Sequence, residues 1–107
     1  MAPPFSIRTS VEGSTAHVAL TGEIDLSAVP AIRECAQALL TDALICGVEV
    51  DLSGATFIDS SGVGALIGGR QLATRQGKTC RIVGVQGRVA HVFAVMGLTD
   101  FFNADPV

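Results

Sequence analysis

The chain has 107 residues, of which 49% are hydrophobic and 16% are charged, and its formal net charge at pH 7 is −3. This length predicts a single domain spanning residues 1–107, and the apolar content excludes a disordered chain. The negative net charge, with basic residues scattered among polar and apolar ones, argues against nucleic acid as a partner.

The cysteines and the apolar runs bear on the cell compartment. Cys35, Cys46 and Cys80 are odd in number and form no C-x-x-C pair, which predicts reduced, mostly buried thiols and no metal site. The first ten residues lack the features of a secretory signal, and no apolar run approaches the length of a membrane span. We therefore expect a cytoplasmic protein that needs no cofactor, contacts no membrane and is a monomer when free.

The first half of the chain predicts a β-hairpin followed by a helix. Phe5 to Val11 alternates apolar and polar residues, residues 12–15 have turn chemistry, and Ala16 to Thr21 continues as a second strand. Ser27 is the predicted N-cap of the first helix, and Pro30 falls in its first turn, where no N–H is needed. The buried stripe of this helix is predicted from helical spacing as Val29, Ile32, Ala36, Leu39, Leu40 and Ala43.

The second half of the chain alternates strands and helices. The predicted elements are a strand at 48–52, a helix with its cap at 59–76 that ends before Gly77, a strand at 79–83 and a helix at 88–96 closed by Gly97. Strands separated by helices imply parallel pairing through right-handed crossovers. The sequence thus predicts an α/β fold with a mixed sheet, an N-terminal hairpin followed by parallel crossover strands, and helices mainly on one face.

The segment Asp59-Ser60-Ser61-Gly62 lies at the predicted corner between a β-prone stretch and the second helix. The free N–H groups and the positive dipole end at the start of a helix favour an anion there. One side chain is enough to cap a helix, so a second hydroxyl is left without a structural task. We interpret Ser60 as a regulatory phosphoacceptor; the alternative is that Asp59, Ser60 and Ser61 are only capping residues.

These segments, in their order along the chain, resemble the anti-sigma-factor antagonists, which are free-standing bacterial STAS domains. The matching segments are GEIDL at 22–26, AVPAIRE at 28–34, DLS at 51–53, DSSG at 59–62 followed by Val63-Gly64, and VAHVFAVMGLTDFF at 89–102. The resemblance covers nearly the whole chain and implies a STAS-like fold. In that family the serine after the aspartate is phosphorylated by a partner that is both a serine kinase and an anti-sigma factor. By position, that role falls on Ser60.

The resemblance implies a phosphorylation-controlled partner switch that regulates transcription. The unphosphorylated surface around Asp25, Asp59, Ser60 and Ser61 would bind the anti-sigma factor and release the sigma factor, and phosphorylation would reverse this. A serine phosphatase would act on the phosphorylated form. Asp59 and Asp25 would contact the kinase or its nucleotide, and Gly62 would let the partner approach. For Asp25, stabilisation of the first helix through its dipole is an equal alternative. The chain would be a substrate and not an enzyme.

Other chemistries lack their motifs. The Gly-x-Ser-x-Gly pattern of serine hydrolases is missing around Ser60 and Ser61, and Gly77-Lys78-Thr79 lacks the first glycine of a P-loop. The alternative that remains is a phosphorylation-independent scaffold, a subunit of a membrane transport or lipid-transport complex with the same fold.

The second helix contains Gly64, Gly68 and Gly69, and each costs about 1 kcal/mol relative to alanine in a helix interior. Gly64 and Gly68 share one face of the helix. They would allow either close packing against the chain's own sheet or a neighbouring helix, or the docking of a helix from a partner. The sequence leaves both open.

Overall fold

A computed structural model describes residues 4–100 and contains a five-stranded sheet with helices packed against it. The strands are β1 (Ser6–Glu12), β2 (Thr15–Ile24), β3 (Gly47–Asp51), β4 (Ala55–Ile58) and β5 (Thr79–Val83). The helices are α1 (Val29–Leu40), α2 (Ser60–Arg75) and α3 (Gly87–Val95), and a short 3₁₀ helix, Leu26–Ala28, precedes α1. The predicted mixed α/β fold is confirmed. The resemblance at 89–102 extends to Phe101 and Phe102, which lie outside the described residues.

The long strand β2 organises the sheet. It pairs antiparallel with β1, and its first half, from Thr15 to Ala19, pairs parallel with β3. Its last residues, from Gly22 to Ile24, pair parallel with β4, and β5 pairs parallel with β3. The predicted end of the second strand at Thr21 was wrong, since β2 continues to Ile24. The strand β4 was not predicted as an element, although the stretch before Asp59 was recognised as β-prone.

The core lies on one face of this sheet. Along β2 every second residue, from Ala16 to Ile24, is buried, while the residues between them are half-buried. Apolar side chains of α1 and α2, among them Ile32 and Leu66, complete the layer on the buried face. The predicted stripe of the first helix ends early, because α1 ends at Leu40 and Ala43 is exposed beyond it. No helix within residues 4–100 is long and apolar enough to cross a membrane.

The predicted C-terminal ends of the last two helices are confirmed. Gly77 has a φ of 69°, and the N–H of Lys78 donates to the carbonyl of Ala73 at 2.8 Å. The same arrangement closes α3, where Gly97 also has a φ of 69° and the N–H of Leu98 donates to the carbonyl of Phe93 at 2.8 Å. A left-handed glycine followed by this hydrogen bond satisfies the last free carbonyls of a helix.

The three cysteines are free thiols in different environments. Cys80 is buried and Cys35 is half-buried, and burial raises the pKa of both thiols, although Arg70 partly offsets this at Cys80. Cys46 is exposed, so the prediction of mostly buried thiols was wrong for this residue. It lies in the loop before β3, where its N–H donates to the carbonyl of Ser14.

Candidate functional site

Two of the predicted site residues follow neighbouring parallel strands. Ile24 at the end of β2 is in register with Ile58 at the end of β4, so Asp25 and Asp59 leave the sheet at the same edge. The N–H of Asp59 donates to the carbonyl of Ile24 at 3.3 Å, which fixes this arrangement. The pairing of β2 with β4, which was not predicted from the sequence, therefore places Asp25 and Asp59 at the same edge of the sheet.

Asp59 is the residue that caps α2. Its backbone is extended, with φ −114° and ψ −175°, and its Oδ1 accepts a hydrogen bond from the N–H of Gly62 at 3.0 Å. Its carbonyl accepts the next bond, from Val63, at 2.9 Å. Among the candidate capping residues Asp59, Ser60 and Ser61, the side chain that caps the helix is that of Asp59.

Ser60, the first residue of α2, is exposed, and Ser61 is half-buried. Within residues 4–100, neither hydroxyl has a hydrogen-bond partner. The capping group is therefore the carboxylate of Asp59, and the hydroxyl of Ser60 lies exposed at the positive end of a 16-residue helix.

Gly62 is buried one residue further along the helix. A Cβ at this position would collide with the carbonyl oxygen of Ile24 and would lie 2.8 Å from Ile24 Cγ2 and 2.9 Å from Ile58 Cγ1. The close approach that requires glycine here is thus made by the chain's own strands. The predicted approach of a partner at Gly62 is not needed to explain this residue, and it stays untested.

Asp25 caps the short 3₁₀ helix, Leu26–Ala28, that follows β2 at this edge of the sheet. Its Oδ1 accepts hydrogen bonds from the Ser27 hydroxyl at 2.6 Å and from the Ser27 N–H at 3.0 Å. The bond from the hydroxyl is the main reason that the pKa of Asp25 lies below its ordinary value. Ser27 was the predicted N-cap of the first helix, and this was wrong: Asp25 caps the 3₁₀ turn, Ser27 is its donor, and α1 follows from Ala28 without a side-chain cap.

Two apolar side chains near these carboxylates were not singled out from the sequence. Leu26 directly follows Asp25 and is 70% exposed, and Phe57 lies two residues before Asp59 with 37% of its surface exposed. Exposed leucine and phenylalanine beside polar groups are typical of surfaces that bind proteins. The sequence carries no periodic signal for Phe57, because its strand β4 has only four residues; in the structure Ala55 and Ile58 are buried and the two residues between them are not.

Replacing Gly62 with alanine is expected to lower the free energy of unfolding by about 1–3 kcal/mol, the usual cost of overpacking a filled space. Alanine keeps the backbone N–H that donates a hydrogen bond to Asp59 Oδ1. The loss of stability would therefore come from the added methyl group. Gly64→Ala is the matched control: nothing lies within 4 Å of its Cβ position, and alanine should raise the stability by up to about 1 kcal/mol. Urea titrations of the two variants measure the difference. Equal midpoints would contradict the packing that we assign to Gly62.

Comparisons with known proteins agree with this fold. The family model described as "Mlab, STAS domain" matches residues 7–103. An anti-sigma-B factor antagonist of Staphylococcus aureus is 26% identical over 101 residues, which cover 94% of this chain and 93% of that protein.

Two solved structures share the architecture. An anti-sigma factor antagonist from Mycobacterium paratuberculosis superposes with a TM-score of 0.82 at 20% identity, covering 97% of this chain and 87% of the other. The phosphorylated form of SpoIIAA, a Bacillus cell fate determinant, superposes with a TM-score of 0.71 at 23% identity, covering 97% of this chain and 92% of the other. At these identities the structures show that the fold is the same.

Proposed function

Because this chain belongs to the STAS-domain family, we propose that it is an anti-sigma factor antagonist whose binding to an anti-sigma factor is switched off by phosphorylation of Ser60. Its partner would be an anti-sigma factor that is also a serine kinase, and a serine phosphatase would restore the active form. The protein would act in the cytoplasm. The names of its relatives in Staphylococcus and Mycobacterium, both anti-sigma antagonists, support this proposal.

The observation that carries the proposal is that Asp59 caps α2 and leaves the neighbouring hydroxyl of Ser60 without a structural role. The carboxylate of Asp59 meets the structural need at the start of α2, while the hydroxyl of Ser60 is exposed and has no partner within residues 4–100. A phosphate on Ser60 would carry a charge of about −1.5 to −2 at pH 7. The free N–H groups and dipole of α2 favour an anion at this position, so the modification is compatible with the fold.

The surroundings of Ser60 would form the surface that the unphosphorylated protein offers to its partner. Asp25 and Asp59 supply two acidic groups at one edge of the sheet, and Leu26 and Phe57 supply exposed apolar area beside them. Apolar anchors within a polar rim are the usual composition of a protein interface. Ser61, which is half-buried next to Ser60, would contribute to the rim.

The kinase would have to supply the catalytic groups. His17 lies on β2 near Glu12 and Glu49, with N···O distances of 3.8 and 3.5 Å, and seven residues of strand, about 23 Å, separate it from Ile24. His91 is exposed on α3. The γ-phosphoryl group of ATP would be transferred to Ser60 Oγ, a base on the kinase would take the hydroxyl proton, and ADP would leave. The chain is thus proposed to be a substrate and not an enzyme.

Incubation of the protein and ATP with each anti-sigma kinase of the source organism is expected to add one phosphate with one of them, and ATP alone should add none. Intact mass measures the number of phosphates, and peptide mapping is expected to place the phosphate on Ser60. Ser61→Ala is the matched control and should still be modified. Efficient modification of Ser60→Ala would overturn the assignment. No modification by any of the kinases would favour the scaffold function instead.

A further inference from the structure

A shallow groove of about 230 Å³ runs between α1 and α2 and begins one turn beyond Ser60. Its floor is made of small residues from both helices, with Leu72 near its far end. Ser60, Gly64 and Gly68 follow one another at intervals of four residues, so they lie along one face of α2, and all three are exposed. The groove is therefore continuous with the surface around the proposed phosphoacceptor.

Packing within the chain does not explain two of the glycines in this groove. Nothing lies within 4 Å of a Cβ added at Gly64 or Gly68, so the close packing against the sheet or a neighbouring helix that the sequence left open is wrong for both. Of the three glycines only Gly69 has a neighbour this close, since a Cβ added there would lie 3.9 Å from Ala36 Cβ of α1. Neither Gly64 nor Gly68 has a positive φ, so the backbone conformation does not require glycine either. Alanine would make a more stable helix.

The groove is also bordered by positive charge. Arg33 of α1 and Arg75 at the end of α2 line it, both are exposed, and neither has an ion-pair or hydrogen-bond partner within residues 4–100. The whole chain carries a net charge of −3, and the surface at Ser60 is acidic. The groove, with two unpaired arginines along it, is therefore locally positive on a protein that is negative as a whole. Cations without an internal partner at the border of a groove favour an acidic occupant.

We propose that this groove binds an acidic helix of the anti-sigma factor, as an extension of the contact at Ser60. The exposed glycines let the backbone of the partner's helix approach α2, and its carboxylates pair with Arg33 and Arg75. From Gly64 to Arg75 the groove is about 16 Å long, which accommodates roughly three turns of helix. This inference rests on the proposed function, since it concerns a second part of the same interface.

The glycines are tested by comparing stability with binding. Gly68→Ala is expected to raise the denaturant midpoint and to weaken binding of the anti-sigma factor that phosphorylates Ser60 by at least about tenfold. A change that stabilises the fold cannot weaken binding through unfolding. A higher midpoint together with a lower affinity would therefore mean that the added methyl group blocks the approach of the partner. Calorimetric titration at one salt concentration gives the affinity, and the affinity of Gly64→Ala should fall in the same direction.

The charges are tested by reversal. Arg33→Glu and Arg75→Glu are each expected to weaken binding by at least about tenfold at low salt, with a smaller effect at high salt because exposed charges are screened. Arg8→Glu, at an exposed position on β1 outside the groove, is the matched control and should change the affinity by less than about twofold. An acidic residue of the partner replaced with lysine should restore binding to Arg33→Glu.

The outcomes separate this inference from the proposed function. If the wild-type protein binds its anti-sigma factor and Gly68→Ala, Arg33→Glu and Arg75→Glu bind as well as it does, the groove is not part of the interface and the switch at Ser60 stands. If the wild-type protein binds no anti-sigma kinase of the source organism, both are overturned. Weaker binding of the groove variants, with unchanged binding of Arg8→Glu, supports the groove.

Discussion

Replacing Leu66 or Val50 with alanine is expected to lower the free energy of unfolding by about 2–4 kcal/mol. Leu66 on α2 is 4% exposed and Val50 on β3 is 8% exposed. Both line the same small apolar pocket, about 40 Å³, between the helices and the sheet. Truncation would enlarge this space and remove the contacts that hold α2 in place, so each variant loses both transfer energy and packing.

Ser60→Ala is the matched control for these core variants. Its hydroxyl is exposed and Asp59 already caps α2, so its loss should change the stability by less than about 1 kcal/mol. Denaturant midpoints at unchanged m-value decide the comparison. A loss at Ser60→Ala as large as that at Leu66→Ala would mean that the hydroxyl is structural and is not available as a spare phosphoacceptor.

The elements with local stop signals were predicted well from the sequence. The second helix was expected from its cap at Asp59 to Gln76, and α2 spans Ser60–Arg75 with Asp59 and Gln76 as its capping residues. The strand at 79–83 was predicted with its observed bounds. A capping carboxylate at one end and a left-handed glycine at the other act within a few residues, so the information lies in the local sequence.

The elements that depend on distant residues were not predicted. β4 has only four residues, which is too few to show a period, and its existence depends on pairing with Gly22 to Ile24 of β2. The true end of β2 was missed for the same reason. At the start of the first helix, serine and aspartate are both good caps, and only the observed hydrogen bonds identify Asp25 as the cap and Ser27 as its donor.

The candidate site was predicted in part. The spare hydroxyl beside a cap was recognised from residue types, and the exposure of Ser60 agrees with it. The apolar positions Leu26 and Phe57 were missed because neither belongs to a periodic pattern. The groove was anticipated from Gly64 and Gly68, but its positive border was not, because only the packing of α1 against α2 brings Arg33 and Arg75 to the same groove.

Phosphorylation of Ser60 is expected to abolish tight binding of the anti-sigma factor while leaving the fold intact. The phosphate adds about −1.5 to −2 charges next to Asp59 and near Asp25, and the start of α2 offsets only part of this charge. A partner surface shaped for the neutral hydroxyl would have to desolvate the added charge, and such mismatches cost several kcal/mol at an interface. We therefore expect Ser60→Asp to bind at least about tenfold more weakly than wild type, and the phosphoprotein more weakly still.

Ser60→Ala separates charge from the loss of the hydroxyl. It is expected to bind the anti-sigma factor with the affinity of the unphosphorylated wild type and to keep that affinity in the presence of ATP, because it offers no phosphoacceptor. Calorimetric titration of wild type, phosphoprotein, Ser60→Asp and Ser60→Ala against the same partner measures the four affinities. Thermal melts of the four forms should be similar, since the added charge lies at the favourable end of α2. Equal affinities for all four would rule out the switch, because a phosphate that leaves binding unchanged cannot control the release of a sigma factor.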